Sequence, residues 1–490
     1  LFLPMLLLST PAIESKHIEI ISEVKQDTQN SAAAHSMSVS DKLSAAIRIK
    51  TISNEKEPLD PQTFLRFKHF LKQAFPLTHQ ALKLETFDDY SLRFKWQGQT
   101  SDAPLVLMAH QDVVPVPQAT LKDWHLPPFS GFNDGQYIWG RGSLDAKNIL
   151  ISVLQAIEEE IQAGFKPQKT IYIALGHDEE ILGSGAKLMA KDFQDRAYPP
   201  GLVLDEGLAI THNMMPGLAT PLALIGVSEK GYLTVELISL SPGGHSSMPP
   251  TQTAISKLAR ALTTIIDNPF EARLSLPIQN LLDNVSEYVD FPMSLIFKYH
   301  SLTKSILINK FGQTTSTNAL IRTTIAPTIF HAGIKANVLP TFASAKLNFR
   351  ILPGDTIDSI IASLKETLQG HDIEIRAALK NATNPSPISC IDCPEYTLIK
   401  RSLKKIFPNA IVASSIVVGA TDARHYSALS PAVYRFSPFN FQPEDLSRIH
   451  GTNERVSIED LTEAVKFYRE VIQNYSELAT SKKSFELFQN

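Results

Sequence analysis

The chain has 490 residues, 43% of them hydrophobic and 20% charged, a composition typical of a folded globular protein. At this length two domains are expected rather than a single core. The net charge of −4, with no basic stripe along the chain, argues against a nucleic-acid partner.

The amino-terminal run from Leu1 to Ala12 is apolar, similar in length to the core of a signal peptide and too short to span a bilayer. We therefore expect an exported protein, either periplasmic, secreted or held by an N-terminal membrane anchor. The alternative is an artefact of the start site. Residues 14–40 are polar and rich in Ala and Ser, so we expect residues 1–37 to form a leader and a linker.

From residue 38 to residue 227, strand and helix patterns alternate. The short apolar runs Leu105–Met108 and Ile171–Leu175 predict strands covered on both faces. Between them, apolar residues recur every three or four positions from Ile149 to Ile161, which predicts an amphipathic helix that ends at Gly164. This alternation predicts a mostly parallel sheet with helices on both sides.

A different pattern begins at residue 228. The predicted order β-α-β-β-α-β over residues 228–384 is that of a ferredoxin-like α+β module, interrupted by an irregular insertion at residues 267–314. Apolar residues of this insertion, among them Leu281, Phe291 and Leu295, are expected to pack the module rather than to line an acyl pocket. Residues 385–480 return to α/β character. The sequence thus predicts a discontinuous α/β domain, residues 38–227 and 385–480, that carries an inserted domain.

Cys390 and Cys393 are the two cysteines of the chain. A structural zinc site needs four ligands and there is no second pair, so we assign this motif no catalytic role. A local disulfide in an oxidising compartment is the remaining interpretation.

His110 and Asp112 end the first apolar strand and lie two residues apart, so both side chains point to the same side. His110 is a candidate metal ligand through one ring nitrogen, and Asp112 is placed to hold the other N–H. The alternative is an exposed polar loop after a core strand.

Further candidate ligands follow along the chain. Asp145, in a glycine-rich turn before a helix, can bridge two cations with one oxygen each, although an N-cap carboxylate is the alternative. The pair Glu179 and Glu180 suits one ligand and one general base, against the alternative of a solvated acidic turn. Asp205 and His450 complete the set. Two histidines with several carboxylates suit a pair of borderline divalent ions such as zinc.

His245 lies in a loop of Gly, Ser and Pro residues inside the inserted module. As an oxyanion stabiliser it would donate a hydrogen bond to a developing tetrahedral oxygen. The alternative is an ordinary turn histidine.

Together these residues resemble the di-zinc metallopeptidase family that includes carboxypeptidase S, aminoacylase and succinyl-diaminopimelate desuccinylase. The resemblance covers residues 40–475, and the segment Trp124–Gly131 is similar to the carboxypeptidase S branch in particular. The motifs, in chain order, are His-x-Asp-Val-Val-Pro-Val, Gly-Arg-Gly-x-x-Asp-x-Lys, Asp-Glu-Glu, Leu-Asp-Glu-Gly, Gly-Gly-His-Ser-Ser and His-Gly. The resemblance implies a catalytic domain with an inserted lid or dimerisation domain.

The resemblance also implies two zinc ions per subunit, with cobalt or manganese as alternatives. It assigns His110, Asp145 and Asp205 to one ion, and Asp145, Glu180 and His450 to the other, so that Asp145 bridges the pair.

The remaining roles also come from the resemblance. Glu179 is implied as the general base, Asp112 as the residue that steadies His110, and His245 as an oxyanion donor, often across a homodimer interface formed by the inserted domain. The implied substrate-binding positions are Asn337, Arg350 and Gly419.

Two substrate classes stay open, both carrying a free carboxylate. The first is a short peptide cleaved by a carboxypeptidase, and the second is an N-acyl amino acid cleaved by an amidohydrolase. A third interpretation, in which the protein is not an enzyme, is a metal-binding protein that has lost catalysis.

Overall fold

The computed structural model describes residues 37–181, 183–215 and 217–478. The predicted leader at residues 1–37 lies almost wholly outside these residues. Among the described helices, none is both long and apolar enough to cross a membrane.

The secondary structure follows the predicted alternation. The α-helices are α1 (Val39–Arg48), α2 (Pro61–Ala74), α3 (Pro76–Ala81), α4 (Lys147–Gln162), α5 (Ser184–Asp195), α6 (Ala254–Asp267), α7 (Leu276–Val285), α8 (Met293–Lys298), α9 (Lys304–Phe311), α10 (Thr315–Ile321), α11 (Ile357–Thr367), α12 (Pro394–Ile406) and α13 (Ile458–Glu477). The strands are β1 (Lys83–Phe87), β2 (Ser91–Trp96), β3 (Thr100–His110), β4 (Phe132–Asn133), β5 (Tyr137–Trp139), β6 (Lys169–Gly176), β7 (Leu202–Thr211), β8 (Leu222–Glu229), β9 (Gly231–Leu240), β10 (Gly244–His245), β11 (Thr324–Ala332), β12 (Val338–Leu339), β13 (Phe342–Ile351), β14 (Glu374–Ala377), β15 (Ile411–Val417), β16 (Val433–Phe441) and β17 (Arg455–Ser457).

The large sheet has eight strands in the order β1-β2-β6-β3-β7-β16-β8-β15. Its centre is parallel, because β3 pairs in parallel with β6 and β7, and β7 pairs in parallel with β16. Strands β1 and β2 add an antiparallel edge. The apolar residues of β3 and all of β6 are buried, as expected where helices cover both faces. The predicted mostly parallel α/β domain is confirmed.

Two apolar clusters cover the large sheet. On one side, residues of α1, α4, α12 and α13 pack with the inward residues of the central strands. On the other side, α5 packs through Ala186, Met189 and Phe193 against Val106 of β3 and Tyr172 of β6. Burying a Leu, Ile or Phe side chain contributes roughly 1.5–3 kcal/mol, so these clusters stabilise the frame that carries the strand ends.

The second sheet has four antiparallel strands in the order β11-β13-β9-β14. Taken with α6 and α11, the chain order β9-α6-β11-β13-α11-β14 is the predicted ferredoxin-like pattern. Helices α6 and α11 bury Leu258, Ile265 and Ile360 against the inner face of this sheet.

The insertion predicted to be irregular is helical. Residues 276–321 form the four short helices α7 to α10, none longer than 10 residues. Helices of this length carry too few turns for the apolar period to stand out, which is why the sequence pattern missed them. Leu281 is buried as expected, whereas Phe291 and Leu295 are exposed.

Cys390 and Cys393 form a disulfide just before α12. Both sulfurs lie near the hydroxyl of Tyr434, at 3.4 and 3.2 Å. This pairing agrees with the local disulfide that the spacing allowed.

Candidate metal centre

The candidate site lies where parallel strands of the large sheet end. His110 is the last residue of β3 and is in register with Gly176, the last residue of β6. The turn Glu179–Ile181 follows β6 directly. Since carboxyl ends of parallel strands meet at one edge of a sheet, the fold brings His110 beside the two glutamates.

His110 is buried, with 1% of its surface exposed, and both of its ring nitrogens are engaged. Nδ1 lies 2.9 Å from the carbonyl oxygen of Asp112 and 3.3 Å from its carboxylate. Nε2 lies 2.9 Å from Asp145 Oδ1 and 3.3 Å from Glu206 Oε2. A hydrogen bond at Nδ1 fixes the ring and makes Nε2, which faces the candidate ligands Asp145 and Glu206, the nitrogen available to a metal.

Asp112 is completely buried and holds more than the histidine. Its carboxylate accepts a hydrogen bond from Ser53 Oγ and from the backbone N–H groups of Glu179 and Glu180, the last two at 3.1 and 3.2 Å. One carboxylate thus fixes both the end of β3 and the turn after β6. The steadying of His110 was predicted; the hold on the glutamate turn was not.

Asp145 lies between the two histidines. Its Oδ1 is 2.9 Å from His110 Nε2 and its Oδ2 is 3.0 Å from His450 Nε2. Glu180 Oε2 also approaches His450 Nε2, at 3.2 Å. The result is two groups of candidate ligands that share Asp145, each with its ligand atoms within 4.8 Å of one another. The groups are His110, Asp145 and Glu206, and Asp145, Glu180 and His450.

Glu206, not Asp205, occupies the position predicted for Asp205 beside His110. The oxygens of Asp205 accept hydrogen bonds from the backbone N–H groups of Glu206 and Ala423, at 2.9 and 2.7 Å. Asp205 therefore ties β7 to the segment after residue 419.

A break in strand pairing explains this exchange. Asp205 pairs with Arg435 of β16, but the next pair joins Leu208 to Phe436, so Glu206 and Gly207 are extra residues on β7. A bulge of this kind re-aims side chains, and here it turns Glu206 toward His110. Gly207 has φ +153°, and a Cβ there would lie 2.6 Å from Arg435 Cβ, so only glycine fits the bulge.

The acidic run after β6 divides into separate roles. The carboxylate of Asp178 accepts hydrogen bonds from the backbone N–H groups of Ser184 and Gly185, at 2.7 and 3.1 Å, and so caps the start of α5. Glu180 belongs to a ligand group, and Glu179 does not. Glu179 is partly buried and interacts electrostatically with His110, Glu206 and Glu180, and its carboxylate makes no hydrogen bond to another described residue.

A buried ion pair joins the loop of Asp145 to the loop of His450. Arg141 donates to Glu454 at 2.7 Å and to the carbonyl oxygens of His450 and Gly451 at 3.1 and 3.0 Å. Glu454 in turn accepts the backbone N–H of Leu144 at 2.8 Å. Residues more than 300 positions apart in sequence are held together in this way, and the clamp was not apparent from the sequence.

The charges of the site call for a cation. Burial raises the pKa of Glu179, of Glu180 and of Glu206, the last to about 7. The hydrogen bonds that the His450 ring donates to the carboxylates of Asp145 and Glu180 raise the pKa of His450 to about 10. Burial opposes ionisation of Asp145, but the hydrogen bonds from His110 and His450 outweigh it and lower its pKa. Carboxylates this crowded retain protons unless a positive ion compensates their charge.

The donor set fits divalent zinc. It combines imidazole nitrogens with carboxylate oxygens, the mixture that zinc accepts, and three protein ligands leave room for water or substrate. Glu180 Oε1 is buried without a hydrogen-bond partner among the described residues. A buried orphan oxygen in a ligand group is what a metal ion would satisfy.

His245, Asn337 and Arg350 belong to the inserted domain. His245 is exposed, its Nδ1 lies 2.7 Å from Ser247 Oγ, and the neighbouring Ser246 N–H donates to the Asn337 carbonyl at 3.2 Å. Arg350, on β13, stacks its guanidinium 5.0 Å from the ring of Tyr232. Within the described part of the chain, none of the three predicted residues bonds to a side chain of the two ligand groups.

Gly419 opens the segment that Asp205 anchors. A Cβ at Gly419 would meet no atom within 4 Å, so this backbone faces open space. Glu229 anchors the segment. Thr421 donates its N–H and its hydroxyl to the Glu229 carboxylate at 3.1 Å, and Arg435 pairs with the same carboxylate at 2.9 Å. A rigid, open backbone segment suits close approach by a ligand.

Residues 106–474 of the chain match the sequence profile of peptidase family M20/M25/M40. The N-fatty-acyl-amino acid synthase/hydrolase of Xenopus tropicalis is 38% identical over 438 residues, which are 88% of this chain and 85% of that protein. The probable carboxypeptidase S-like 2 of Dictyostelium discoideum is 37% identical over 480 residues, 96% of this chain and 91% of that protein.

A solved structure shares the fold. It is an M20 family metallo-carboxypeptidase of Sulfolobus solfataricus, with a TM-score of 0.67 and 19% sequence identity. The match covers 89% of this chain and 98% of that chain, so it includes both the large sheet and the inserted domain.

Proposed function

The chain belongs to peptidase family M20/M25/M40, and we propose that it is a zinc-dependent metallocarboxypeptidase. Like that metal-dependent family, it is a hydrolytic enzyme, and its proposed substrates are short peptides with a free C-terminal carboxylate. The resemblance inferred from the sequence motifs is thereby confirmed at the level of the family. The observation that carries the proposal is Asp145, whose two oxygens face the imidazoles of His110 and His450.

In this proposal two zinc ions bind per subunit. His110, Asp145 and Glu206 would hold one, Asp145, Glu180 and His450 would hold the other, and cobalt or manganese are alternatives. Bound zinc would lower the pKa of water and polarise the amide carbonyl.

The proton chemistry is proposed for Glu179. It accepts the proton of the attacking water and delivers it to the leaving nitrogen, so that the C–N bond breaks and a free amine departs. Its place beside the ligand groups, outside both of them, supports this role. Asp112 positions Glu179 by accepting its backbone N–H.

The inserted domain is proposed to complete the site. His245 would donate a hydrogen bond to the oxyanion that forms on the substrate carbonyl. Because His245 is exposed and makes no bond to the ligand groups of its own chain among the described residues, we propose that a second copy delivers it in a homodimer. Asn337, Arg350 and the open backbone at Gly419 are the proposed substrate contacts, with Arg350 suited to the carboxylate through two parallel hydrogen bonds.

A second candidate is hydrolysis of N-acyl amino acids. The C-terminal residue of a peptide and the amino acid of an N-acyl conjugate present the same amide nitrogen and the same free carboxylate. The activity for which the Xenopus relative is named, at 38% identity, favours this alternative specifically. The two candidates differ only in the acyl side of the bond.

A paired assay separates the two candidates. The zinc-loaded protein should cleave a Gly-Leu-type dipeptide with a higher kcat/KM than a fatty-acyl amino acid with the same leucine. Amidation of the leucine carboxylate should weaken both reactions, because the proposed contacts of that carboxylate are lost. A preference for the fatty-acyl substrate would replace the first candidate by the second, and equal cleavage of the amidated compounds would contradict carboxylate recognition.

Because Glu206 rather than Asp205 lies beside His110, the two isosteric variants Glu206→Gln and Asp205→Asn should differ in zinc binding and in stability. Glu206→Gln should weaken binding of one zinc ion by about 100-fold or more, since a neutral amide replaces a ligand carboxylate. Asp205→Asn should keep both ions and lose roughly 1–3 kcal/mol of stability, because an amide N–H would face a backbone N–H. Zinc content after dialysis and the free energy of unfolding test this. The reverse pattern would restore Asp205 as the ligand.

A further inference from the structure

The short helices of the insertion expose a continuous line of large apolar residues. Phe291, Leu295, Tyr299, Leu302 and Ile306 follow one another at intervals of four, four, three and four residues. We call these five residues the apolar stripe. Leu302 is 87% exposed and Phe291 78%, and the other three are about half exposed.

The stripe follows α8, α9 and the turns before and between them. The backbone N–H of Tyr299 bonds to the carbonyl of Leu295 at 3.0 Å, and that of Leu302 bonds to Tyr299 at 2.9 Å, so the turns of α8 continue toward α9. Residues three and four apart on such turns are neighbours on one side. Leu295, Tyr299 and Leu302 therefore lie toward one side, Ile306 continues the line on α9, and Phe291 is exposed in the turn that precedes α8.

The opposite face of the same helices already anchors them to the protein. Phe297 of α8 and Leu307 and Phe311 of α9 are buried in a cluster with Leu282 of α7 and Ile416 of β15. The stripe is thus not required for packing the insertion. A second apolar face, opposite a buried one and open to water, marks a surface that contacts something else.

The charged residues within the stripe and after it are basic. From residue 291 to residue 322 the chain has Lys298, Lys304, Lys310 and Arg322 and contains no Asp or Glu, although the whole chain has a net charge of −4. The three lysines are exposed. Asp283, Glu287 and Asp290 precede the stripe and are exposed, and Asp283 lies 3.2 Å from His300.

We propose that the apolar stripe docks this protein on the surface of a phospholipid bilayer that contains anionic headgroups. Leu, Phe and Ile side chains enter the boundary between headgroups and acyl chains, Tyr299 lies at the headgroup level, and the lysines reach the anionic phosphates and carboxylates. A second copy of the chain is a poorer occupant, because a symmetric contact through the stripe would bring like-charged lysines together. The helices lie in the plane of the surface and do not span it.

Vesicle sedimentation with the full chain tests the proposal. The protein should bind vesicles of phosphatidylcholine with about 30% phosphatidylserine more tightly than phosphatidylcholine alone. The double variant Phe291→Ser/Leu302→Ser should bind the anionic vesicles about tenfold or more weakly, since both side chains leave water in the bound state. Lys298→Glu/Lys304→Glu should weaken binding by about fivefold or more per lysine, on anionic vesicles alone.

A matched control lies in the same inserted domain. Met248 and Ile334 are 80% and 97% exposed but lie outside the stripe, so Met248→Ser/Ile334→Ser should bind as the unchanged protein does. All variants keep residues 1–36, so binding through the apolar amino-terminal run would be equal in every protein. Equal binding by the stripe variant and the unchanged protein, or no vesicle binding at all, would overturn the proposal. It would also be overturned if the stripe variant changed only self-association without lipid, which would assign the stripe to a protein contact.

Discussion

The Glu179→Gln variant should lose turnover while it keeps both metal ions. We expect kcat to fall about 10²–10⁴-fold, the range that a positioned general base contributes. The amide has the same size as the carboxylate but cannot accept the proton of the attacking water. The backbone N–H of residue 179 still reaches Asp112, so the turn after β6 stays in place.

The effect should appear in kcat rather than in KM. Glu179 is proposed to touch the reacting water and the leaving nitrogen, and it belongs to neither ligand group. A group that acts only in the transition state lowers kcat and kcat/KM together when it is removed. Steady-state kinetics and zinc content measured on the same preparation test both statements.

Glu366→Gln is a matched control for this variant. It makes the same chemical change at an exposed position of α11 in the inserted domain and should leave kcat and zinc content unchanged. If Glu179→Gln retained activity within about tenfold of the unchanged enzyme, the proton transfer would have to be assigned elsewhere. If it lost zinc, Glu179 would be a ligand rather than a base.

The apolar runs of the sequence predict the fold well because they decide burial directly. Residues 105–108 and 171–175 are almost entirely apolar, which is typical of central strands covered on both faces, and parallel strands bring their carboxyl ends together. That topology places His110 beside the turn of Glu179 and Glu180. Asp145 and His450 lie in loops whose positions do not follow from it, and in the structure Asp145 is shared by the two ligand groups that contain His110 and His450.

The choice between Asp205 and Glu206 could not be made from the same pattern. Adjacent residues on a regular strand point to opposite faces, and the sequence does not show on which strand the pairing slips. The slip depends on Arg435, more than 200 positions later, which leaves no room for a side chain at Gly207. A contact between distant segments thus decides which acid faces His110.

The same limit applies to the loops around the site. The hold of Asp112 on the glutamate turn and the clamp of Arg141 and Glu454 both join segments far apart in the chain. Single residues in loops give no periodic signal, so their partners appear only when the fold is known. Asp178 is the opposite case. Its place in an acidic run suggests a metal ligand, but its carboxylate caps a helix by accepting the backbone N–H of Ser184.

The second large effect is expected for Asp145→Asn, which should remove binding of the metal pair together with activity. A carboxylate offers lone pairs on both sides, whereas an amide offers one oxygen and turns an N–H group toward the other ion. Since Asp145 belongs to both ligand groups, affinity should fall at both positions. Activity should drop by about 10⁴-fold or more, as expected when several kcal/mol of transition-state stabilisation disappear.

Thermal unfolding gives a readout that does not depend on turnover. Zinc at 100 times its dissociation constant should stabilise the unchanged protein by about 2.7 kcal/mol for each site that it fills, because the ion binds the folded state alone. Asp145→Asn should lose this zinc-dependent rise in Tm. Its metal-free form should melt lower than the unchanged metal-free protein, because the carboxylate that accepts hydrogen bonds from His110 and His450, and whose pKa they lower, stabilises the folded state. Asp89→Asn, an exposed position, is the control and should keep the full rise. A zinc-dependent rise in Asp145→Asn equal to that of the control would mean that the two ligand groups bind their ions without a shared carboxylate, and the arrangement proposed for the site would be wrong.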